Sequence, residues 1–224
     1  RRIILETKEK KGRGPGKKLV YGIGINDSTT ATQLEIKDVD PLTGKIKRKV
    51  VWKCPFYSKW VDMIRRCYSY EMEAKFPSYE SCSVCPEWIK FSKFRAWMCQ
   101  QDWEGKALDK DLLFPGNKIY SPETCLFVDQ KINNFITESN KRRGDWPIGV
   151  HFDKSTGKFK ASISMKSDDK KKCKMLGRYD TPELAHDAWL AAKIEKAKLL
   201  ADSITDEKIR NALISYYQNY KEVK

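Results

Sequence analysis

The sequence predicts an α+β fold, with helical and strand patterns occurring in blocks rather than in strict alternation. Three observations carry this. Between residues 55 and 98 apolar side chains recur at helical spacing. Between residues 146 and 179 the pattern has a period of two and is broken by turn residues. From residue 181 a Thr-Pro pair opens an Ala-rich amphipathic segment.

Taken in order, residues 1–18 ("RRIILETKEKKGRGPGKK") read as a flexible basic arm, because Gly-Arg-Gly-Pro-Gly supports neither helix nor strand. The arm also lacks the long apolar core of a signal peptide. "LVYGIGI" reads as a short strand, and "TQLEIKDVDPLTGKIKRKVVWK" as two strands about a Pro-Leu-Thr-Gly turn. Pro55 suits a first helical turn, after which Phe56, Trp60, Met63, Ile64 and Cys67 share one face. Lys59, Arg65 and Arg66 fall elsewhere on that helix, and the two arginines are candidates for a phosphate contact. A second helix should follow Pro86, with Phe91, Phe94, Trp97 and Met98 inward. Residues 108–134 predict a strand ending at Asp109, a turn at Pro115-Gly116-Asn117, a strand at Ile119-Tyr120 and a helix from about Pro122 to Ile136 capped by Ser121. "TESNKRRGDWP" has the composition of a linker. Beyond it come three strands, the helix opening at Thr181-Pro182, and a last helix using Ile209, Leu213, Tyr216 and Tyr217 for packing. The expected divisions are a basic arm (1–18), a first domain (19–136), a basic linker (137–146) and a second domain with C-terminal helices (147–224).

Charge placement narrows the partner. The net charge is +14, of which residues 1–18 carry +6 and residues 139–178 carry +8, leaving the remainder neutral. Two concentrated basic regions on a neutral body suit a polyanion, whose condensed counterions are released on contact. A nucleic acid is the expected partner. No run of about 18 or more apolar residues occurs, so no membrane span is expected and a cytoplasmic location is inferred. The seven cysteines are odd in number and are expected as reduced thiols, mostly buried. Cys82-x-x-Cys85 is the one pair with zinc-like spacing, and the only histidines are His151 and His186, so no structural zinc is expected.

The segment "LDKDLLFPGNKIYSPETCLFVDQKINN" (108–134) places carboxylates beside a lysine and ends on a polar helix containing Asn133. A strand-turn-strand-helix unit holds one divalent ion between its first strand and its helix, and phosphodiester cleavage there needs oxygen ligands, a base and a cationic stabiliser. This segment resembles the HNH nuclease motif in the subgroup found in phage-encoded and homing endonucleases, most closely at "VDQKIN" (128–133). The upstream "FYSKWVDMIRRCYS" and "PSYESCSVCPEWIKFSKFRAWM" are similar to segments that precede the motif in such proteins. The resemblance implies a ββα-metal core binding Mg²⁺ or Mn²⁺, with Asp109 and Asn133 as the metal ligands and a bacterial host cell as the setting. It implies a catalytic set of Asp109, Lys110 and Asn133. Two departures stand out. The family's general base is a His, here replaced by Lys110, and the Asn whose backbone carbonyl orients that His is replaced by Thr124. A lysine, with a reference pKa of about 10.4, is a poor base unless strongly desolvated. Two outcomes therefore follow from the sequence: a metal-dependent endonuclease acting on duplex DNA, or a DNA-holding protein, such as a repressor or nuclease antagonist, that keeps the scaffold without cutting.

Residues 146–196 carry a second resemblance. Ile148-Gly149-Val150, Gly157-Lys158-Phe159, Leu176-Gly177 and Tyr179-Asp180-Thr181-Pro182-Glu183 stand in the order of the ethylene-response-factor type of DNA-binding domain. That domain is a three-stranded antiparallel sheet packed on one helix, and its open face enters the major groove. Alternation puts Phe159, Ala161 and Ile163 inward and Lys160, Ser162 and Ser164 outward. The DNA-contacting set implied is His151, Lys158, Lys160, Ser162, Ser164, Lys172, Lys174 and Arg178, with Arg142 and Arg143 from the linker. His186, within the helix, is read as structural. Ile148, Asp153, Ser164, Cys173 and Met175 stand where the family holds Arg or Trp, which implies looser base specificity and more reliance on phosphate.

Overall fold

The computed structural model describes residues 19–39, 42–137, 145–167 and 170–220. The basic arm (1–18) and the linker arginines Arg142 and Arg143 lie outside the described residues. The fold is mixed α+β and forms two compact units. One comprises the described residues up to Lys110 together with Asn117–Asp129, and the other Asp111–Gly116 together with the described residues from Gln130 onward.

In the first unit, β1 (Gln33–Val39) and β2 (Ile46–Lys53) form an antiparallel two-stranded ribbon. Next come α1 (Pro55–Tyr68), α2 (Tyr70–Lys75), β3 (Ser83–Val84), α3 (Phe91–Met98), β4 (Ala107–Asp109), β5 (Ile119–Tyr120) and β6 (Leu126–Val128). Pro55 holds the φ that the first turn of α1 needs, and Trp60, Met63 and Ile64 are buried as the periodicity predicts. The Trp60 Nε1–H donates to the Trp88 carbonyl at 2.7 Å, so the largest core side chain brings no unpaired donor inside. Around it pack Trp88, Phe91, Phe94, Met98, Leu108, Tyr120 and Phe127. The helix expected after Pro86 is interrupted: Pro86–Ile89 is a 3-10 turn, Lys90 is extended and bridges Ile25, and α3 starts at Phe91. The Asp27 carboxylate accepts from the Ser92 backbone N–H (2.8 Å) and hydroxyl (2.6 Å), capping α3 from a distant loop. "LVYGIGI" is a turn rather than the expected strand. Tyr21 and Gly22 both have positive φ, and Val20 bridges Gly24 across the turn.

In the second unit, α4 (Gln130–Ile136) precedes β7 (Val150–Asp153), β8 (Lys158–Ser167) and β9 (Lys170–Tyr179), then α5 (Pro182–Ala201) and α6 (Glu207–Gln218). The three strands form one antiparallel sheet in sequence order, as expected. Thr181 caps α5 through the Leu184 N–H (3.3 Å), and Asp206 caps α6 through the Ile209 N–H (3.1 Å). Val150, Ala161 and Ala185 form the buried centre between the sheet and α5, with Phe159, Leu176 and Tyr179 packed against them. Gly149 has φ +81°, and a Cβ there would lie 2.1 Å from the Trp189 ring, so both backbone and space demand glycine.

Candidate nucleic-acid interface and strand-end site

The outer face of β7–β9 is set by register. His151 pairs with Lys160, and Lys160 with Arg178, so the three lie in a row across the strands. Ala161 and Ile163 are buried while Ser164 is exposed, matching the alternation read from the sequence. A register shift between Ala161 and Ser162 then sets Ser162 opposite the exposed Met175 and Ser164 opposite the exposed Cys173. Lys174 is exposed. Lys158 is half-exposed and pairs with Asp180 at 3.0 Å. Lys172 lies in β9 by its backbone, and its side chain falls outside the described residues.

Asp153 organises this face, a role that sequence reasoning did not give it. Its buried carboxylate receives the Lys160 ammonium at 2.7 Å and Arg178 Nε–H at 3.3 Å on one oxygen. The other oxygen receives the Ser155 hydroxyl at 2.7 Å and its N–H at 3.2 Å. Lys160 first, then the Ser155 hydroxyl, hold the Asp153 carboxyl well below the usual carboxylate range, with Arg178 adding to the effect. Both cations are thus preset in position before any ligand arrives. The signal was present as an acid just before the Ser-Thr-Gly turn, two residues from His151, where it can cap the hairpin and meet the facing strand. His186 donates from Nδ1 to the Ile148 carbonyl (3.1 Å) and stacks on Trp189, which is a packing role.

At the strand end, Asp109 terminates β4 opposite Leu126 of β6 and is 8% exposed. The partner of β4 is β6, not β5, which pairs in parallel with β3. The expected helix from Pro122 is likewise corrected. Cys125 N–H donates to the Ser121 carbonyl (3.0 Å) and the Thr124 hydroxyl to the Ile119 carbonyl (2.7 Å), closing a turn. The all-apolar run from Cys125 to Val128 is then buried, continues as β6, and α4 starts only at Gln130.

Lys110 is 4% exposed. Its Nζ donates to the Asn117 carbonyl at 2.5 Å, and the Asn117 side-chain amide donates back to the Lys110 carbonyl at 3.0 Å and to Ile119 at 2.6 Å. The Tyr120 ring lies 5.9 Å from the ammonium, and both contacts suit a cation. A carbonyl that receives the Lys110 ammonium is that of Asn117. The Pro-Gly-Asn turn hid it, because it reads as turn chemistry alone. Burial pushes the thiols of Cys67 and Cys125 up to about 12, so both stay protonated and unreactive at neutral pH. Of the α1 arginines, Arg65 pairs with Asp62 at 2.9 Å, and Arg66 lies over the Tyr79 ring at 5.9 Å.

Asn133 is half-buried on α4, in the second unit, while Asp109 belongs to the first. The helix is held by Lys193 of α5. Its Nζ donates to the Phe135 carbonyl and to the Tyr217 hydroxyl, each at 2.9 Å, and lies 4.1 Å from the centre of the Phe135 ring. The Tyr217 hydroxyl donates to the same carbonyl at 2.9 Å. Phe135 is in the last turn of α4, where carbonyls lack helical partners and a cation is favoured. Among the described residues, no group of three or more His, Cys, Asp or Glu side chains is placed to hold a metal ion, and no helix is long and apolar enough to cross a membrane. No protein-family model, curated protein or solved structure matches the chain.

Proposed function

We propose that this chain binds double-stranded DNA through the outer face of β7–β9 and acts on it as a divalent-metal-dependent endonuclease of the HNH type. The observation that carries the binding half is the row His151, Lys160 and Arg178, with two of its cations fixed on one buried carboxylate. A β-sheet face of this width suits the major groove, and a guanidinium offers paired donors to a guanine edge. Further cations, Lys158 on the outer face, Lys172 and Lys174 along β9, and Arg142 and Arg143 before the sheet in sequence, suit phosphates and supply the salt-dependent part of the affinity.

The cleavage half rests on residues 108–134. The ligands that the resemblance implies, the Asp109 carboxylate and the Asn133 amide, are oxygen donors, a type that suits Mg²⁺ or Mn²⁺ rather than zinc. The bound ion would polarise the scissile phosphate. Within the chain itself, Asp109 is fixed at a strand end by its pairing with Leu126, and Lys110 supplies a positive charge next to it. The alternative, a DNA-holding protein that does not cut, is favoured by one observation: Lys110 is buried and its ammonium is directed at Asn117.

The test is a duplex-binding and cleavage assay with and without Mg²⁺ or Mn²⁺, on the wild type and Asp109→Ala. Metal-dependent cleavage lost in Asp109→Ala, with binding retained, is expected. Binding without cleavage under either metal selects the non-cutting reading. Failure to bind duplex DNA at low salt rejects both.

A further inference from the structure

We propose that the β1–β2 ribbon is a separate DNA-contacting element that lies in a groove of the duplex. The proposal rests on the reading that the chain binds duplex DNA, and adds a surface that reading does not use.

β2 is exposed along its whole length. Its eight residues, "IKRKVVWK", hold Lys47, Arg48, Lys49 and Lys53 and no carboxylate. Between these cations stand apolar side chains with no core to enter: Ile46 is 58% exposed, Val51 52% and Trp52 44%. Strand alternation sends Lys47 and Lys49 to one face of the ribbon and Arg48 to the other, where Lys37 is its direct cross-strand partner. Both faces therefore carry positive charge. A register shift between Leu34 and Glu35 leaves Val51 as an extra residue, and a bulge of this kind adds right-handed twist.

This combination selects one occupant. An exposed edge strand needs only an isolated lysine or proline to block pairing with another chain; β1 adds Glu35 and Asp38, the latter opposite Lys47, yet the ribbon's five cations (Lys37, Lys47, Arg48, Lys49 and Lys53) still exceed that need. An apolar partner protein would not be matched by so dense a charge. A duplex groove presents phosphates on both walls and apolar thymine methyl groups on its floor, and its width of about 12 Å admits a two-stranded ribbon. Eight strand residues span about 27 Å, most of one duplex turn. Lys47, Arg48, Lys49 and Lys53 would meet the walls, and the apolar side chains the floor.

The test compares the full-length wild type with Lys47→Gln/Arg48→Gln/Lys49→Gln on a mixed-sequence duplex. Anisotropy is measured over a salt series, and guanine-methylation interference reports major-groove contact. The variant should bind about tenfold or more weakly at moderate salt, and the slope of log affinity against log salt should fall by about 2–3. It should also lose part of the interference pattern. All three positions are exposed, and circular dichroism confirms folding; if the triple variant fails to fold, Arg48→Gln alone should lower the slope by about 0.9. A variant that keeps the wild-type slope, affinity and interference pattern overturns the ribbon while leaving the sheet face as the DNA surface. Wild-type protein that binds no duplex overturns both. Light scattering that shows a dimer lost in Trp52→Ser, with DNA binding unchanged, assigns the ribbon to a second copy and also overturns the proposal.

Discussion

Lys110 and Asp153 are each buried against defined partners, Lys110 on the Asn117 carbonyl and Asp153 on Lys160 and Arg178, and each yields a prediction. Replacing Lys110 with methionine keeps most of the stem but leaves the Asn117 carbonyl without its ammonium, which should cost about 1–3 kcal/mol in urea unfolding. Lys110→His has a different purpose. An imidazole at this position faces the same carbonyl and can take a proton from water near neutral pH. If the chain cuts DNA, the metal-dependent rate should rise about tenfold or more, because a positioned base contributes about 10²–10⁴. A rate that stays flat while the variant folds would show that base strength at residue 110 is not limiting. For Asp153, the carboxyl titrates below its unfolded value, so its ion pairs stabilise the fold fully above about pH 4, the unfolded reference. The contribution is lost as pH falls further. The stability advantage of wild type over Asp153→Asn should therefore be constant from pH 7 to about 5 and narrow below about 4; an advantage unchanged down to pH 2 would remove the ion pairs from the account.

At the scale of elements, Gly149 gives the clearest expectation. A methyl group there meets the Trp189 ring and also strains a left-handed backbone, so Gly149→Ala should destabilise the second unit by about 2 kcal/mol or more, read as a lowered thermal midpoint. The elements that were legible in the sequence share a local signature. α1 shows in its apolar face after Pro55, α5 in its Thr-Pro cap, and β7–β9 in their alternation about Ser155-Thr156-Gly157. The elements misread were decided by non-local contacts. β6 is the three-residue end of the apolar run from Cys125, whose flanks resemble a helix start, and pairing with β4 makes it a strand. The same limit applies to the candidate sites. The outward row His151, Lys160 and Arg178 follows from period two, whereas Asp153 and Asn117 act through partners that turn chemistry conceals.

For the whole molecule, charge placement makes the prediction. Duplex affinity should fall steeply with salt, and removing residues 1–18, which carry +6, should weaken binding to all sequences alike and flatten the salt slope. An unchanged slope would exclude the arm from the interface. The tie between Lys193, Tyr217 and the Phe135 carbonyl bears on how such a chain is inherited. By composition, the natural point of exchange is the polar stretch 137–146. Recombination there would hand the C-terminal strands and helices to a new neighbour without α4, leaving the Lys193 ammonium among its rings without that carbonyl and α4 without the cation on its last turn. A crossover at the Asp129–Gln130 bond would keep the set intact, so lineages that shuffle this C-terminal piece should carry α4, with Asn133 on it, as part of the cargo.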